Sequence, residues 1–145
     1  MNITITPIKN KTLGAVVAGV DLNHLDGCDW EQIYAAFLEH AALVFPGQFL
    51  DDDVQIAFGQ RFGEIEQVRE GKQSLAISNR NADGTLLEPD DHRFKSLRGN
   101  EGWHHDSTYM PVAAKAGLLS AIEVPSTGGE TALADTRAGY DALDN

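Results

Sequence analysis

Apolar residues in this 145-residue chain come in short runs closed by glycine or proline, and that punctuation sets what the chain can fold into. Gly14-Ala15-Val16-Val17-Ala18-Gly19-Val20 is one strand-length run between glycines, and Ala42-Leu43-Val44-Phe45, stopped by Pro46-Gly47, is a buried-type strand. Ile3, Ile5 and Ile8 begin a shorter alternating segment that Pro7 interrupts; this and the 14–20 run read as edge strands. No run approaches the roughly 18 residues that span a bilayer, and Met1-Asn2-Ile3-Thr4 does not open a signal peptide. A membrane is therefore not an expected partner, and the cytoplasm is the expected location.

Two helices are legible between these strands. Asp29 with Gln32 three residues on marks an N-terminus, and Ile33, Ala36, Phe37 and Ala41 recur at helical spacing, giving a helix over about 29–41. Asp51, Asp52 and Asp53 open a second, with an apolar stripe of Val54, Ala57, Phe58 and Phe62 and Gly63 as its C-cap. Leu75–Ser78 reads as a short strand. Asn79–Asn100 is rich in Asn, Asp, Gly and charge and reads as a long loop, the kind of segment that often carries function. Strands are expected near 103–109, 117–124 and 130–134, then a helix from Thr136 to Leu143.

Charge narrows the partners. Eleven Lys and Arg face 22 Asp and Glu, a net charge of −11, which repels phosphate backbones and makes nucleic acid a poor partner. The plain reading of that charge is a solvated surface. The single Cys28 allows no internal disulfide.

The chemistry concentrates in Trp103-His104-His105-Asp106. On a strand, side chains two apart share a face, so His104 and Asp106 can both reach one cation while His105 points away. An imidazole and a carboxylate make up part of the 2-His-1-carboxylate triad that holds non-haem Fe(II) and leaves coordination positions open. A His-x-Asp pair also occurs by chance on solvated loops, and His105 is a competing ligand. Zinc suits closely spaced His and Cys, whereas Cys28 and His24 lie far upstream. His24, His40 and His92 read as loop, helix-face and loop residues, none a good third ligand. Downstream, Gly128-Gly129-Glu130-Thr131 reads as a tight turn followed by a hydroxyl.

Five ordered blocks carry a family resemblance: Leu13-Gly14-Ala15 through Gly19-Val20-Asp21-Leu22; Leu43-Val44-Phe45-Pro46-Gly47-Gln48; Phe58-Gly59-Gln60-Arg61-Phe62-Gly63; Gly102-Trp103-His104-His105-Asp106; and Gly128-Gly129-Glu130-Thr131 followed by Ala134-Asp135-Thr136-Arg137-Ala138-Gly139-Tyr140-Asp141-Ala142-Leu143. Together they resemble the Fe(II)/2-oxoglutarate-dependent dioxygenases that include taurine dioxygenase and 2,4-dichlorophenoxyacetate dioxygenase. The resemblance implies a mostly β fold with flanking helices, part of a distorted double-stranded β-helix of the jelly-roll, cupin-like kind. It implies His104 and Asp106 as iron ligands, Thr131 on a 2-oxoglutarate carboxylate and Asn100 near the substrate. It further implies O2 and a small anionic organic acid as reactants, with succinate and CO2 released.

Two departures qualify it. The family's distal His and its 2-oxoglutarate-binding Arg have no counterpart here, so residues 1–145 are expected to form the N-terminal portion of one domain, inactive alone, with open sheet edges that favour association with another copy or a partner chain. Arg137, beside Asp135 and Asp141, is expected in a surface or helix-packing salt bridge. Glu64–Arg69 lacks the His that taurine-type members place near the sulfonate, which argues against taurine. The rival readings are a non-catalytic binding protein that keeps the front of the barrel, and a metal-assisted hydrolase using His104, His105, Asp106 and water.

Overall fold

The computed structural model describes residues 2–67 and 71–143, so Val68 and Arg69 lie outside the described residues. The chain divides into two compact units, one of residues 1–54 with 120–145 and one of residues 55–119.

The first unit is built on a three-stranded sheet in the order β1-β2-β3. Strand β1 (Thr4–Pro7) pairs antiparallel with β2 (Ala15–Ala18), Thr4 opposite Ala18 and Pro7 opposite Ala15. Strand β3 (Leu43–Val44) pairs parallel with β2, Ala15 opposite Leu43. The expectation of two edge strands thus holds for β1 alone, because β3 returns to pair with the free side of β2. A parallel return needs a crossover, and helix α1 (Gly27–His40) supplies it, packing on β2 and β3. Ile33 on α1 and Val17 on β2 are 0% and 1% exposed, the centre of a core completed by Ala15, Val20, Leu22 and Ala36.

Each end of α1 departs slightly from the expected boundary. Its cap is Asp26, not Asp29: Asp26 has extended backbone angles, and its side chain accepts from the Asp29 amide at 2.8 Å. Asp29 lies inside the first turn and is buried. At the other end Ala41 takes a left-handed conformation, φ 61°, and donates its N–H to the Phe37 carbonyl. The strand after it is only two residues long, and Val44 is half exposed, so the buried-type reading of 42–45 overstated its burial. Between β2 and α1, a 3₁₀ turn at Leu22–His24 is capped by Asp21 and held by Gln48, whose side chain accepts from Leu22 N at 3.0 Å and donates to Val20 O at 3.1 Å.

Helix α2 (Asp52–Gln60) starts where expected, with the Asp51 carboxylate accepting from Val54 N. Phe58, Gly59 and Phe62 are buried while Ala57 is exposed, which rotates the stripe from the one read in sequence. Tight turns at Arg61 and Phe62 close the helix before Gly63 is reached, so Gly63 is not its cap. The Phe58 and Phe62 rings meet edge to face at 5.6 Å.

Residues 79–100 are not one long loop. Asn81 N donates to the Thr85 carbonyl at 2.8 Å and the Asn81 carbonyl accepts from Gly84 N at 3.0 Å, closing a turn, and Arg80 bridges Leu86. Arg93 then ties Asn81 to Asp91 at 2.6 and 2.8 Å. Asp91 caps helix α3 (His92–Gly99), which has no apolar periodicity for a sequence reading to find. Its order comes from polar bonds and a cap.

The strands expected at 75–78, 103–109, 117–124 and 130–134 do not form among the described residues. A strand is completed by a hydrogen-bonded neighbour, and these segments have none among the described residues. The mostly β expectation is therefore met only in part: among the described residues a small sheet is accompanied by four α-helices. The last, α4 (Thr136–Asp141), lies within the expected 136–143 and is capped by Asp135.

Candidate functional site

Although residues 103–106 form no strand, His104 and Asp106 still converge. His104 Nε2 lies 3.3 Å from Asp106 Oδ1. On the other side of the ring, Nδ1 is 2.8 Å from the Gly102 carbonyl. A carbonyl only accepts, so Nδ1 carries a proton and donates, and Nε2 is the ring nitrogen turned to the carboxylate. A proton or a cation can bridge Nε2 and the carboxylate at that distance. Backbone fixing of one imidazole nitrogen while the other turns outward is the usual support of a metal-binding histidine. For bonds near 2.1 Å, ligands at right angles on one ion stand about 3 Å apart, so the donor set and its spacing fit a divalent metal.

No group of three or more His, Cys, Asp or Glu placed to hold a metal occurs among the described residues. His105 neighbours the pair in an exposed position, and its carbonyl accepts from Thr108 Oγ1 at 3.3 Å. His24 pairs with Asp21 at 2.8 Å, His40 closes α1 and His92 opens α3.

Behind the pair is a feature that sequence reading passed over. Ser107 follows Asp106 directly, is 4% exposed and has φ 61°. Its hydroxyl donates to Glu66 Oε2, and its carbonyl accepts from Met110 N at 3.0 Å. Nothing in the linear pattern links residues 41 positions apart. Asn100 is the C-cap of α3, its N–H directed at the Leu97 and Arg98 carbonyls, and it is exposed.

Thr131 belongs to the other unit, where it stands exposed outside any helix or strand. The expected turn before it is present: Gly128 and Gly129 have φ 75° and 74°, angles glycine adopts freely. In the same unit a groove of about 270 Å³ is lined by Leu13, Ala42, Leu133 and Arg137 among others. The Arg137 guanidinium is occupied there, with Nε 3.3 Å from Asp135 and Nη1 3.4 and 3.3 Å from the Leu38 and Glu39 carbonyls. It ties α4 to the last turn of α1, where a cation meets the negative end of the helix dipole, as the helix-packing expectation held.

Comparison with known proteins gives a consistent result. The family model described as "Taurine catabolism dioxygenase TauD, TfdA family" matches residues 4–145. An (S)-phenoxypropionate/alpha-ketoglutarate-dioxygenase of Delftia acidovorans is 49% identical, covering 98% of this chain and 49% of the relative. The protein of that name from Sphingobium herbicidovorans is 53% identical over 97% of this chain and 47% of its own length. A crystal structure of AAD-2 in complex with Mn(II) and N-oxalylglycine superposes with a TM-score of 0.89 at 38% identity, covering 100% of this chain and 51% of that one. The chain spans about half the length of these relatives.

Proposed function

This chain belongs to the TauD/TfdA dioxygenase family, and from that premise we propose that it is the N-terminal portion of an Fe(II)- and 2-oxoglutarate-dependent dioxygenase acting on a small organic acid. The observation that carries the reading is the His104–Asp106 pair, an imidazole nitrogen 3.3 Å from a carboxylate oxygen in a chain of this family. His104 and Asp106 would hold the metal. When bound, that metal supplies the oxidative chemistry that couples 2-oxoglutarate decarboxylation by O2 to hydroxylation of the substrate.

The residues of this chain do the positioning. The Gly102 carbonyl accepts from His104 Nδ1 and fixes the ring, so that Nε2 is the nitrogen turned toward the metal. The Thr131 hydroxyl donates to a 2-oxoglutarate carboxylate, and the glycine turn at 128–129 brings backbone close to it. Asn100, an exposed amide where α3 ends, contacts substrate. A third protein ligand and a cation for the second carboxylate of 2-oxoglutarate come from the remainder of a relative-length protein, whose strands complete a jelly roll. The names of the two relatives given above point to an aryloxy-substituted propionate as the substrate class.

The test is made on the protein from its complete gene. His104→Ala and Asp106→Ala should abolish Fe(II)-dependent succinate formation while His105→Ala leaves most of it. Thr131→Val should raise the KM for 2-oxoglutarate, by a factor equivalent to about 1 to 3 kcal/mol. The 145-residue chain alone should form no succinate. Turnover surviving His104→Ala, or robust succinate production by the 145-residue chain as a folded monomer, would overturn the reading.

A further inference from the structure

The turn that carries Asp106 is anchored by a residue in an unfavourable conformation. Ser107 has φ 61°, a region that L-residues other than Asn and Asp rarely enter, and it is 4% exposed between exposed neighbours. Such a backbone persists only where its surroundings fix it. Here the fixing groups are identifiable. Glu66 accepts from the Ser107 hydroxyl, Met110 N donates to the Ser107 carbonyl at 3.0 Å, and Thr108 Oγ1 donates to the His105 carbonyl at 3.3 Å. All of these residues lie in the same compact unit as His104. Ser107, next in the chain to Asp106, is anchored to Glu66, and the His105 carbonyl on the other side of Asp106 is tied to Thr108 Oγ1, so the backbone that carries the Asp106 carboxylate is held on both sides.

We propose that Glu66 and Ser107 are positioning residues of the metal site: their hydrogen bond locks the 106–110 turn and holds the Asp106 carboxylate at ligand distance from His104. The inference rests on the reading of His104 and Asp106 as ligands. Neither Glu66 nor Ser107 touches the metal. Each acts through Asp106, as hydrogen-bonded partners behind a metal ligand commonly do.

The experiment measures Mn(II) affinity by equilibrium dialysis and the thermal midpoint of the metal-free protein, both on the product of the complete gene. Ser107→Gly removes the hydroxyl but suits a positive φ, so the metal-free protein should melt no lower than the parent while Mn(II) binds about 10-fold more weakly. Glu66→Ala should weaken binding to a similar degree. Glu66→Gln keeps an acceptor for the hydroxyl and should restore most of the affinity. A role confined to folding would lower the melting point and spare the affinity of the folded molecules. Asp106→Ala is the control for the underlying reading and should remove most Mn(II) binding. If Asp106→Ala binds Mn(II) like the parent, the ligand assignment fails and this inference with it. If Asp106→Ala loses binding while Ser107→Gly and Glu66→Ala stay within about twofold of the parent, the inference alone is overturned. Should Glu66→Ala not fold, Ser107→Gly and Glu66→Gln still decide.

Discussion

Residues 15–36 and residues 103–133 are both rich in apolar side chains, yet the first stretch forms a core and the second does not. Ala15, Val17 and Ile33 are at most 1% exposed, whereas Trp103, Val112 and Ile122 are 76%, 84% and 92% exposed. Hydrophobicity does not separate them. What separates them is whether the backbone can find a partner nearby: β2 has a neighbour on each side and a crossover helix above it. No segment between 103 and 133 has a paired strand among the described residues. Burial follows pairing, because a side chain is covered only after the main chain beside it is satisfied.

The largest expected effect tests that contrast head-on. Ile33→Ala empties a fully buried site and should destabilise the first unit by about 2 to 5 kcal/mol in urea unfolding. Ile122→Ala, in the 145-residue chain, should change stability by less than about 0.5 kcal/mol. In the protein from the complete gene the second value should rise to about 2 kcal/mol, since a completed jelly roll would bury that residue. A value near zero in both proteins would break the comparison and show that Ile122 is a surface residue in its own right.

The same contrast explains what sequence reading reached. The β2 run and α1 were legible because their signals are local: glycine brackets, helical spacing, an acidic cap. The cap was misplaced by three residues because Asp26 and Asp29 are equally plausible in composition, and only the extended backbone of Asp26 decides between them. Helix α3 was illegible because an Arg93–Asn81–Asp91 network orders it without any apolar period. The expected strand at 103–109 carried a correct consequence on a wrong premise. His104 and Asp106 do converge, but where no strand forms, in a stretch whose next residue, Ser107, is bonded to Glu66. Contacts that distant in sequence leave no mark on a single chain.

Glycine substitutions sharpen the comparison at the next level of effect. Gly19 follows β2 with φ 76°, and an added Cβ would stand 2.3 Å from the Asn2 carbonyl oxygen. Gly19→Ala therefore meets both backbone strain and a clash against another main chain, and should cost about 2 to 4 kcal/mol. Gly128 has nearly the same φ, 75°, and a Cβ added there would meet nothing within 4 Å. Gly128→Ala should cost only the strain, about 1 kcal/mol. Equal losses would mean that the 128–129 turn is as tightly enclosed as the end of β2.

A smaller and opposite change is expected at Ala41. Its left-handed backbone, φ 61°, closes α1 at a position that favours glycine. Ala41→Gly relieves the Cβ strain while giving back some unfolded-chain entropy, so the net gain should be about 0.5 to 1 kcal/mol. Chemical unfolding of the variant checks the sign. A loss would show that the Ala41 methyl contributes more to the groove beside Leu13 and Leu133 than the strain takes away.

The smallest effect separates a charge from a cap. Hydrogen bonds from the His24 ring and the Asn23 side chain and backbone hold Asp21 ionised, lowering its pKa from 3.8 to about 2. A folded-state pKa below the unfolded one means that the native state binds its proton more weakly, so the stabilisation is complete above about pH 4. It fades as pH falls toward 2. Asn caps a helical turn about as well as Asp, so Asp21→Asn keeps the acceptor for the Asn23 amide and deletes only the charge. Parent and variant should therefore differ in urea midpoint at pH 5 to 7, and the difference should shrink steadily between pH 4 and 2. The site is well solvated, so the gap should also narrow in high salt. A gap that stays constant from pH 7 to 2 would mean that Asp21 acts only through its shape as a cap, and that the closed unit draws no stability from this charge.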